Sequence, residues 1–356
     1  MKTSAALAGI ADDPRVRALR LWLEDAPRGL GAQPDTLRAA SADASFRRYF
    51  RLDANGTAGR SLIAMDAPPE REDSRPYIVV ARLLAEAGLH APKVLIYDLA
   101  QGFLLLTDLG ATTYLNEMNG GTGTVPGEGR INELFSDAID ALVKWQLASD
   151  PNALPPYDEA LLRRELDLFP DWYLDRHLCC TMTPQQRATL AQQYRLILDA
   201  CLAQPRVYVH RDYMPRNLMV STPNPGVLDF QDAVYGPITY DVVSLFRDAF
   251  ISWDEERVLD WTIRYWERAR RAGLPVREDF GEFYRDFEWM GLQRHLKVLG
   301  IFARINYRDG KSHYLTDTPR FVRYVRAVTQ RYNDLAPLAR LFDDFEGIAR
   351  QIGYTF

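Results

Sequence analysis

The first third of the chain alternates short apolar segments with turn residues, a pattern typical of β-strands. One segment among them, Tyr77 to Ala87, instead has apolar residues at helical spacing and ends at Gly88. The pattern predicts five strands, at Leu37–Ala40, Phe46–Leu52, Ser61–Met65, Lys93–Tyr97 and Phe103–Thr107. We therefore expect a small five-stranded antiparallel sheet with one inserted helix, preceded by a short helix from Pro14 to Leu23.

The rest of the chain has apolar positions mostly at helical spacing. The predicted helices are Ile131–Leu147, Tyr157–Phe169, Pro184–Ala203, Tyr240–Phe250, Glu255–Ala272, Phe280–Ile305, Thr318–Tyr332 and Asp344–Ile352. Strand-rich segments followed by helix-rich segments indicate an α+β fold. A chain of 356 residues is long enough for two compact regions. We expect a small lobe over residues 1–108 and a large, mainly helical lobe over residues 109–356.

Composition narrows the classes of partner. The net charge of −5 argues against a general nucleic-acid binder, and no apolar run approaches the ~20 residues that a membrane helix needs. The three cysteines are Cys179, Cys180 and Cys201, which form neither a CxxC motif nor a disulfide framework. These features predict a cytoplasmic protein with reduced thiols. The sequence carries no pattern that specifies an oligomeric state.

One stretch, residues 207–233, concentrates the candidate chemistry. An apolar run leads into His210-Arg211-Asp212, and Asn217 precedes a second apolar run. A turn at residues 223–226 and two further apolar residues then lead to Asp229. The pattern predicts a β-hairpin with Asn217 and Asp229 at adjacent strand ends. Since antiparallel neighbours lie about 5 Å apart, the two side chains could share one metal ion.

This arrangement suits phosphoryl transfer. Mg²⁺ prefers oxygen ligands and takes some of them from substrate phosphates, so Asn217 and Asp229 fit its needs. Asp212 lies outside the hairpin, where it could orient an attacking hydroxyl and accept its proton. The spacing His210-Arg211-Asp212-x-x-x-x-Asn217, followed by Asp229-Phe230, resembles the catalytic loop and metal-binding segment of protein-kinase-like enzymes.

Along nearly its whole length the chain resembles the aminoglycoside phosphotransferase family of kinase-like enzymes. Four blocks resemble one branch of it, the anomeric kinases of N-acetylmuramate and N-acetylglucosamine: residues 43–50 (DASFRRYF), 65–69 (MDAPP), 300–304 (GIFAR) and 308–311 (RDGK). The resemblance implies a bilobal kinase-like fold, ATP and Mg²⁺ as cofactors, and phosphorylation of an amino sugar in cell-wall recycling. It places ATP against the third strand at Ala64 and against the hinge residues Leu106, Thr107, Asp108 and Leu109.

One departure from the family pattern concerns the strand lysine that pairs with ATP phosphates. The five lysines of the chain all lie outside the third strand, and aligning residues 63–66 with the usual V-A-I-K motif puts Asp66 at the lysine position. By strand alternation we expect Arg48 to face the cleft and replace that lysine. Ser45, in the preceding turn, would cap the phosphates. A nucleotide-binding pseudokinase remains an alternative.

The acceptor is expected to be a small molecule, because a helix begins near Asp241 and leaves no room for a peptide-docking loop after Asp229. Asp241 itself is either a helix cap or a brace for the catalytic loop. Candidate acceptor contacts in the large lobe are Trp172, Tyr173, Arg176, His177 and Arg304. Their cations and aromatic rings favour an anionic amino sugar, whereas an aminoglycoside or an amino alcohol such as choline or homoserine is the alternative acceptor.

Overall fold

A computed structural model describes residues 13–41 and 46–347. The chain divides into two compact units, Met1–Ala138 with Arg216–Asp232, and Ile139–Pro215 with Ala233–Phe356. The predicted hairpin therefore belongs with the N-terminal unit, although it lies far along the chain. The division into lobes after residue 108 stays a prediction. Ser45 and the rest of its turn lie outside the described residues.

The first unit contains the predicted five-stranded antiparallel sheet, in the order β1-β2-β3-β5-β4. This part of the fold prediction is confirmed. Helix α1 precedes the sheet and helix α2 lies between β3 and β4. The bounds are α1 Pro14–Glu24, β1 Ala32–Ser41, β2 Arg48–Gly56, β3 Gly59–Asp66, α2 Arg75–Glu86, β4 Val94–Asp98 and β5 Phe103–Thr107.

Helix α1 covers one face of this sheet. Its start is fixed by Asp13, whose side chain accepts a hydrogen bond from the backbone N–H of Arg15 at 2.8 Å. Leu19 of α1 packs in one buried cluster with Phe50 and Leu52 of β2. Successive side chains of a strand point to opposite faces. The intervening β2 residues therefore lie on the other face of the sheet.

A small hairpin completes the first unit. Strands β7 (Leu218–Met219) and β8 (Gly226–Val227) pair antiparallel and follow a 3₁₀ turn at Pro215–Asn217. Helix α3, Tyr114–Met118, lies beside the hairpin, because Thr113 forms a bridge with Met219. The predicted hairpin is thus present, with strands of two residues each.

The second unit is mainly helical, as predicted. Strands β6 (Arg206–Val209) and β9 (Val234–Pro237) form its antiparallel pair. Helix α9, Phe280–Asp309, has 30 residues, and most of them are buried. Helix α4, Glu128–Leu147, contains the boundary between the two units. The other helices that the structure describes in the second unit are α5 Glu159–Leu166, a π-helix Phe169–His177, α6 Pro184–Leu202, α7 Tyr240–Phe246, α8 Glu255–Arg271, α9, α10 Thr318–Arg331 and α11 Ala336–Phe345.

Three predicted helices differ from the structure. The helix predicted over Tyr240–Phe250 ends at Phe246. The segment Tyr157–Phe169 is not one helix, because α5 ends at Leu166 and Pro170 lies in the first turn of the π-helix that follows. Proline is tolerated there because the first N–H groups of a helix have no partner within it. The last described helix starts at Ala336 and ends at Phe345, so the predicted start at Asp344 is wrong; residues 348–352 of that predicted helix lie outside the described residues.

The sequence block at residues 300–304 has a packing role. A Cβ atom on Gly300 would lie 2.3 Å from the backbone carbonyl carbon of Leu168. Only glycine therefore lets α9 approach the start of the π-helix so closely. Over the residues described, no helix has both the length and the apolar character of a membrane span.

Candidate active site

A cavity of about 300 Å³ opens in the first unit, on the face of the sheet opposite to α1. The predicted hinge residues Leu106, Thr107, Asp108 and Leu109 line one side, and Asn217 and Asp229 line another. The other lining residues are Ala40, Tyr49, Arg51, Ile63, Tyr77, Pro92, Gly110, Ala111, Thr113, Arg216, Met219 and Leu228. Apolar walls with a few polar groups at defined points are typical of small-molecule sites.

Asn217 and Asp229 meet as the hairpin pattern predicts. The Asn217 Nδ2 atom lies 3.4 Å from Asp229 Oδ2, and the backbone N–H of Leu228 donates to the Asn217 carbonyl at 2.9 Å. Asp229 has a left-handed backbone conformation with φ of 62°, which is uncommon outside glycine and concentrates at functional sites. Gln231 Nε2 donates to Asp229 Oδ1 at 2.9 Å and fixes the carboxylate further.

This pair has the donor chemistry that Mg²⁺ requires. The amide of Asn217 and the carboxylate of Asp229 lie side by side, so the amide oxygen and the carboxylate would be two ligands and substrate phosphates would supply the others. Within the described residues, no group of three or more His, Cys, Asp or Glu side chains is arranged to hold a metal ion. The residues present therefore fit a cation that arrives with a nucleotide. Metal binding at Asn217 and Asp229 stays a proposal.

An ion pair braces the hinge. Arg51 Nε donates to Asp108 Oδ2 at 2.6 Å, Arg51 Nη2 donates to the Gly110 carbonyl at 2.6 Å, and the Ser61 hydroxyl donates to Asp108 at 2.7 Å. Burial alone would raise the pKa of Asp108, but the bonds from Arg51 and Ser61 outweigh it and lower that pKa. Asp108 is thus an ionised anchor between β2, β3 and the hinge.

Two predicted ATP contacts lie on the wrong face of the sheet. Arg48 does not line the cavity, because it extends away from it to ion pairs with Asp13 and Asp66. Ala64 belongs to the buried cluster under α1, and its neighbour Ile63 lines the cavity instead. The prediction assumed that the face of Phe50 and Leu52 is the cleft face, whereas α1 covers it. The expected cleft position of Arg48 and Ala64 is therefore corrected.

The catalytic loop lies in the second unit and is held by Asp241. The carboxylate of Asp241, fully buried in the first turn of α7, accepts from the backbone N–H of His210 at 2.6 Å and of Arg211 at 3.0 Å. Arg211 has a φ of 75°, so the loop turns sharply just before Asp212. Of the two interpretations left open for Asp241, the structure supports the brace.

A buried carboxylate holds the loop from a second side. Glu165 of α5 pairs with Arg211 Nη2 at 2.5 Å and with Lys297 Nζ at 2.8 Å, and it also accepts from the Tyr157 hydroxyl. Burial alone would raise the pKa of Glu165, but Lys297 and Arg211 lower it to about 2. Lys297 also donates to the Tyr240 hydroxyl at 2.8 Å and interacts electrostatically with Asp212. The loop that carries the predicted base Asp212 is thus held by an ion-pair network of Arg211, Lys297 and Glu165.

We expect Glu165→Gln to destabilise the protein near neutral pH by about 3–5 kcal/mol, because it leaves two buried cations without their counter-charge. The folded-state pKa of Glu165 is depressed from 4.5 to about 2. Its contribution is therefore fully present above pH 4.5 and is lost as the pH falls towards 2. Urea unfolding of wild type and variant at pH 7 and at pH 3 measures this difference.

The matched control is Glu267→Gln, which removes an exposed carboxylate from α8. The gap between wild type and Glu165→Gln should shrink at the lower pH, whereas Glu267→Gln should match wild type at both. A gap that stays constant between pH 7 and pH 3 would contradict an ionised Glu165 in the folded state.

The predicted acceptor residues do not share one cavity. Trp172 and Arg176 line a separate cavity of about 470 Å³ in the second unit, together with Pro170, Asp171, Asp175, Cys180, Thr181, Met182 and Arg187. Tyr173 is buried and stacks on Phe169 at 5.5 Å. His177 Nδ1 lies 3.2 Å from the Tyr307 hydroxyl. Arg304 is half-buried, and burial lowers its pKa. Acceptor binding by these five residues stays a prediction.

Several residues of the site escaped the sequence analysis. Tyr49, Arg51, Ile63 and Tyr77 line the cavity. Tyr49, Arg51 and Ile63 alternate along their strands with the residues that face α1. The alternation therefore contained the signal, and the sequence analysis chose the wrong face. Glu165 and Lys297 gave no comparable signal, because their pairing joins segments more than 100 residues apart.

The chain resembles known proteins throughout its length. Residues 36–277 match the model of the phosphotransferase enzyme family, APH. An N-acetylmuramate/N-acetylglucosamine kinase of Pseudomonas putida is 51% identical over 345 residues, which cover 95% of this chain and 98% of that protein. The kinase of the same name from Pseudomonas aeruginosa is 51% identical over 339 residues, covering 93% and 97%.

Solved structures agree on the fold. The amicoumacin kinase hAmiN, solved in complex with AMP-PNP, Ca²⁺ and Ami, superposes with a TM-score of 0.58 at 15% identity, covering 87% of this chain and 94% of that chain. A likeness at this identity concerns the fold alone. With the family model and the relatives, it confirms the resemblance and the kinase-like fold predicted from the sequence. The chain belongs to the aminoglycoside phosphotransferase family of phosphotransferase enzymes.

Proposed function

We propose that this chain is an N-acetylmuramate/N-acetylglucosamine kinase that transfers a phosphoryl group from ATP to the sugar. The observation that carries the proposal is the 51% identity to a kinase of that name over 95% of the chain. The residues of the site support it, since Asp212, Asn217 and Asp229 stand at the spacing that phosphoryl transfer requires. The presence of all three favours catalysis over a pseudokinase role.

The nucleotide is assigned to the cavity of the first unit. The backbone of the hinge, Leu106 to Gly110, would contact the adenine between apolar side chains such as Ile63 and Leu228. Asn217 and Asp229 would hold a Mg²⁺ ion with the phosphates, and that ion supplies charge neutralisation of the transferring group. ATP is available inside the cell, which is consistent with the predicted cytoplasmic location.

Asp212 is assigned the role of general base. Its carboxylate would orient the sugar hydroxyl and take the proton as the oxygen attacks the terminal phosphorus. The backbone bonds from His210 and Arg211 to Asp241 fix the loop that carries it. The ion pairs of Glu165 with Arg211 and with Lys297 stabilise the same loop. A base held in place before substrate arrives lowers the reorganisation that the reaction would otherwise need.

The hydroxyl on carbon 1 is the proposed acceptor. It is the most acidic hydroxyl of the free sugar, because the ring oxygen withdraws electrons from the same carbon. A carboxylate base such as Asp212 therefore suits it better than it suits a primary alcohol. N-acetylglucosamine lacks only the lactyl acid of N-acetylmuramate, so both sugars fit one site.

An ADP-release assay across a panel of acceptors tests the proposal. N-acetylmuramate and N-acetylglucosamine should support turnover, whereas choline, homoserine and kanamycin should not. Activity confined to kanamycin would indicate an aminoglycoside kinase, and activity confined to the amino alcohols would indicate a choline-type kinase. Asp212→Asn, purified in parallel, measures contaminating kinase activity. ATP binding without turnover on any acceptor would favour the pseudokinase.

A further inference from the structure

Strand β3 carries no lysine on its cavity-side face, where the family's phosphate-binding lysine is expected. Ile63 of β3 lines the cavity, so Met65, two residues further along, shares its face. Asp66, which the sequence alignment put at that position, points the other way and is buried between Arg15 and Arg48. A cation that contacts the phosphates in place of this lysine would therefore come from another element. Strand β2 is the nearest candidate, because it pairs with β3 in the sheet.

Arg47 directly precedes β2, and strand alternation puts it on the same side as the cavity-lining residues of that strand. It precedes Tyr49 and Arg51 at two-residue intervals, and both of these line the cavity. The backbone of Tyr49 is the register partner of Met65. Arg47 is therefore next to the row in which the strand lysine is missing, at the end of β2 away from the hinge residues that pair with Leu62 and Ile63.

A carboxylate holds the Arg47 side chain in place. Arg47 Nη2 lies 2.9 Å from Glu72 Oε2, and the two side chains are only 10% and 16% exposed. Glu72 lies just before helix α2, which follows β3 in the chain. Kinases place their phosphate-binding lysine in an equivalent pair with a glutamate of the helix after the third strand. Arg47 and Glu72 form a comparable pair, with the cation just before β2 and the carboxylate just before α2.

Tyr77 interacts both with this pair and with the proposed metal site at Asn217 and Asp229. Tyr77 of α2 lines the cavity beside Asn217 and Asp229, and its ring lies 4.6 Å from that of Phe230. Burial raises the pKa of Tyr77, Tyr49 raises it further, Arg47 lowers it and Asp229 raises it. The Arg47 guanidinium and the Asp229 carboxylate therefore both lie within electrostatic range of one phenol.

We propose that Arg47, positioned by Glu72, binds the nucleotide phosphates in place of the strand lysine. The inference rests on the proposed use of ATP. A guanidinium donates two parallel hydrogen bonds to phosphate oxygens, and it stays charged when partly buried. Arg48 is excluded from this role because Asp13 and Asp66 hold it on the opposite face.

Nucleotide binding without any acceptor tests the assignment. In calorimetric titrations with Mg²⁺, Arg47→Met should weaken binding of ATP by about 10- to 100-fold, the equivalent of one charge-assisted contact. Adenosine, which has no phosphate, should bind wild type and variant alike. Arg47→Lys should retain most of the ATP affinity, and Glu72→Gln should lose part of it because the guanidinium is no longer oriented.

Arg75→Met is the matched control, since it removes a nearby arginine that is 76% exposed and contacts only a surface carboxylate among its described ion pairs. It should bind ATP like wild type. Equal losses for ATP and adenosine, or unchanged ATP affinity in Arg47→Met, would overturn the assignment. If Arg47→Met does not fold, Arg47→Gln decides in its place. A wild-type protein that binds no nucleotide would instead refute the proposed function.

Discussion

Asp212→Asn is expected to lower kcat for N-acetylmuramate by about 10²–10⁴-fold, the usual contribution of a positioned base. Asparagine has the same shape as aspartate but cannot accept the proton of the sugar hydroxyl. Hydrogen bonds to Asp241 and the Glu165–Arg211 ion pair hold the loop, and the substitution leaves both in place. The variant should therefore keep its fold. ATP affinity, measured separately by calorimetry, should change little, because the cavity and the proposed metal site are formed by other residues.

The control for this prediction is Asp260→Asn, which removes an exposed carboxylate of α8 that pairs with Arg264. It should turn over at the wild-type rate. The pH dependence of kcat distinguishes a base from a residue that only positions the substrate. Loss of a base lowers kcat and also removes the fall of kcat at acidic pH. Wild-type kcat in Asp212→Asn would refute the assignment of the base.

Asp229→Asn is expected to remove the Mg²⁺ dependence of ATP binding and to lower kcat/KM by more than about 100-fold, because loss of an outer-shell partner alone costs 10–100-fold. Asparagine is the right substitution, since it tolerates the left-handed conformation that Asp229 adopts. An alanine there would add backbone strain to the loss of the carboxylate. The measurement is the ATP dissociation constant with Mg²⁺ and with a chelator.

In wild type the two dissociation constants should differ widely, and in Asp229→Asn they should converge. Adenosine affinity serves as the control for the adenine part of the cavity and should be the same in both proteins. A variant in which Mg²⁺ still tightens ATP binding as it does in wild type would show that the ion is held elsewhere.

Local sequence rules recovered the architecture because the relevant signals are local. Alternation of apolar residues predicted the five strands, and the turn residues before Asp229 predicted a hairpin that brings this residue to Asn217. The same rules failed on the faces of β2. Neither face of this strand is open solvent surface, because one face packs against α1 and the other lines the cavity. Alternation alone therefore cannot distinguish the row of Phe50 from the row of Tyr49.

The support of the catalytic loop could not be predicted, for a different physical reason. Glu165 and Lys297 are charged residues that the sequence would place on helix surfaces, yet each lies buried against the other at 2.8 Å. Their burial depends on the packing of α5 against α9, which no short pattern reports. The π-helix is a similar case, since a proline that normally ends a helix lies in its first turn.

Phosphorus NMR of the product formed from ATP and N-acetylmuramate tests the central claim most directly. The account predicts one new phosphate resonance coupled to the proton on carbon 1, and the same result with N-acetylglucosamine. A methyl glycoside of N-acetylglucosamine, in which that hydroxyl is blocked, should give no product. Phosphate on the primary hydroxyl, or phosphorylation of the methyl glycoside, would contradict the account.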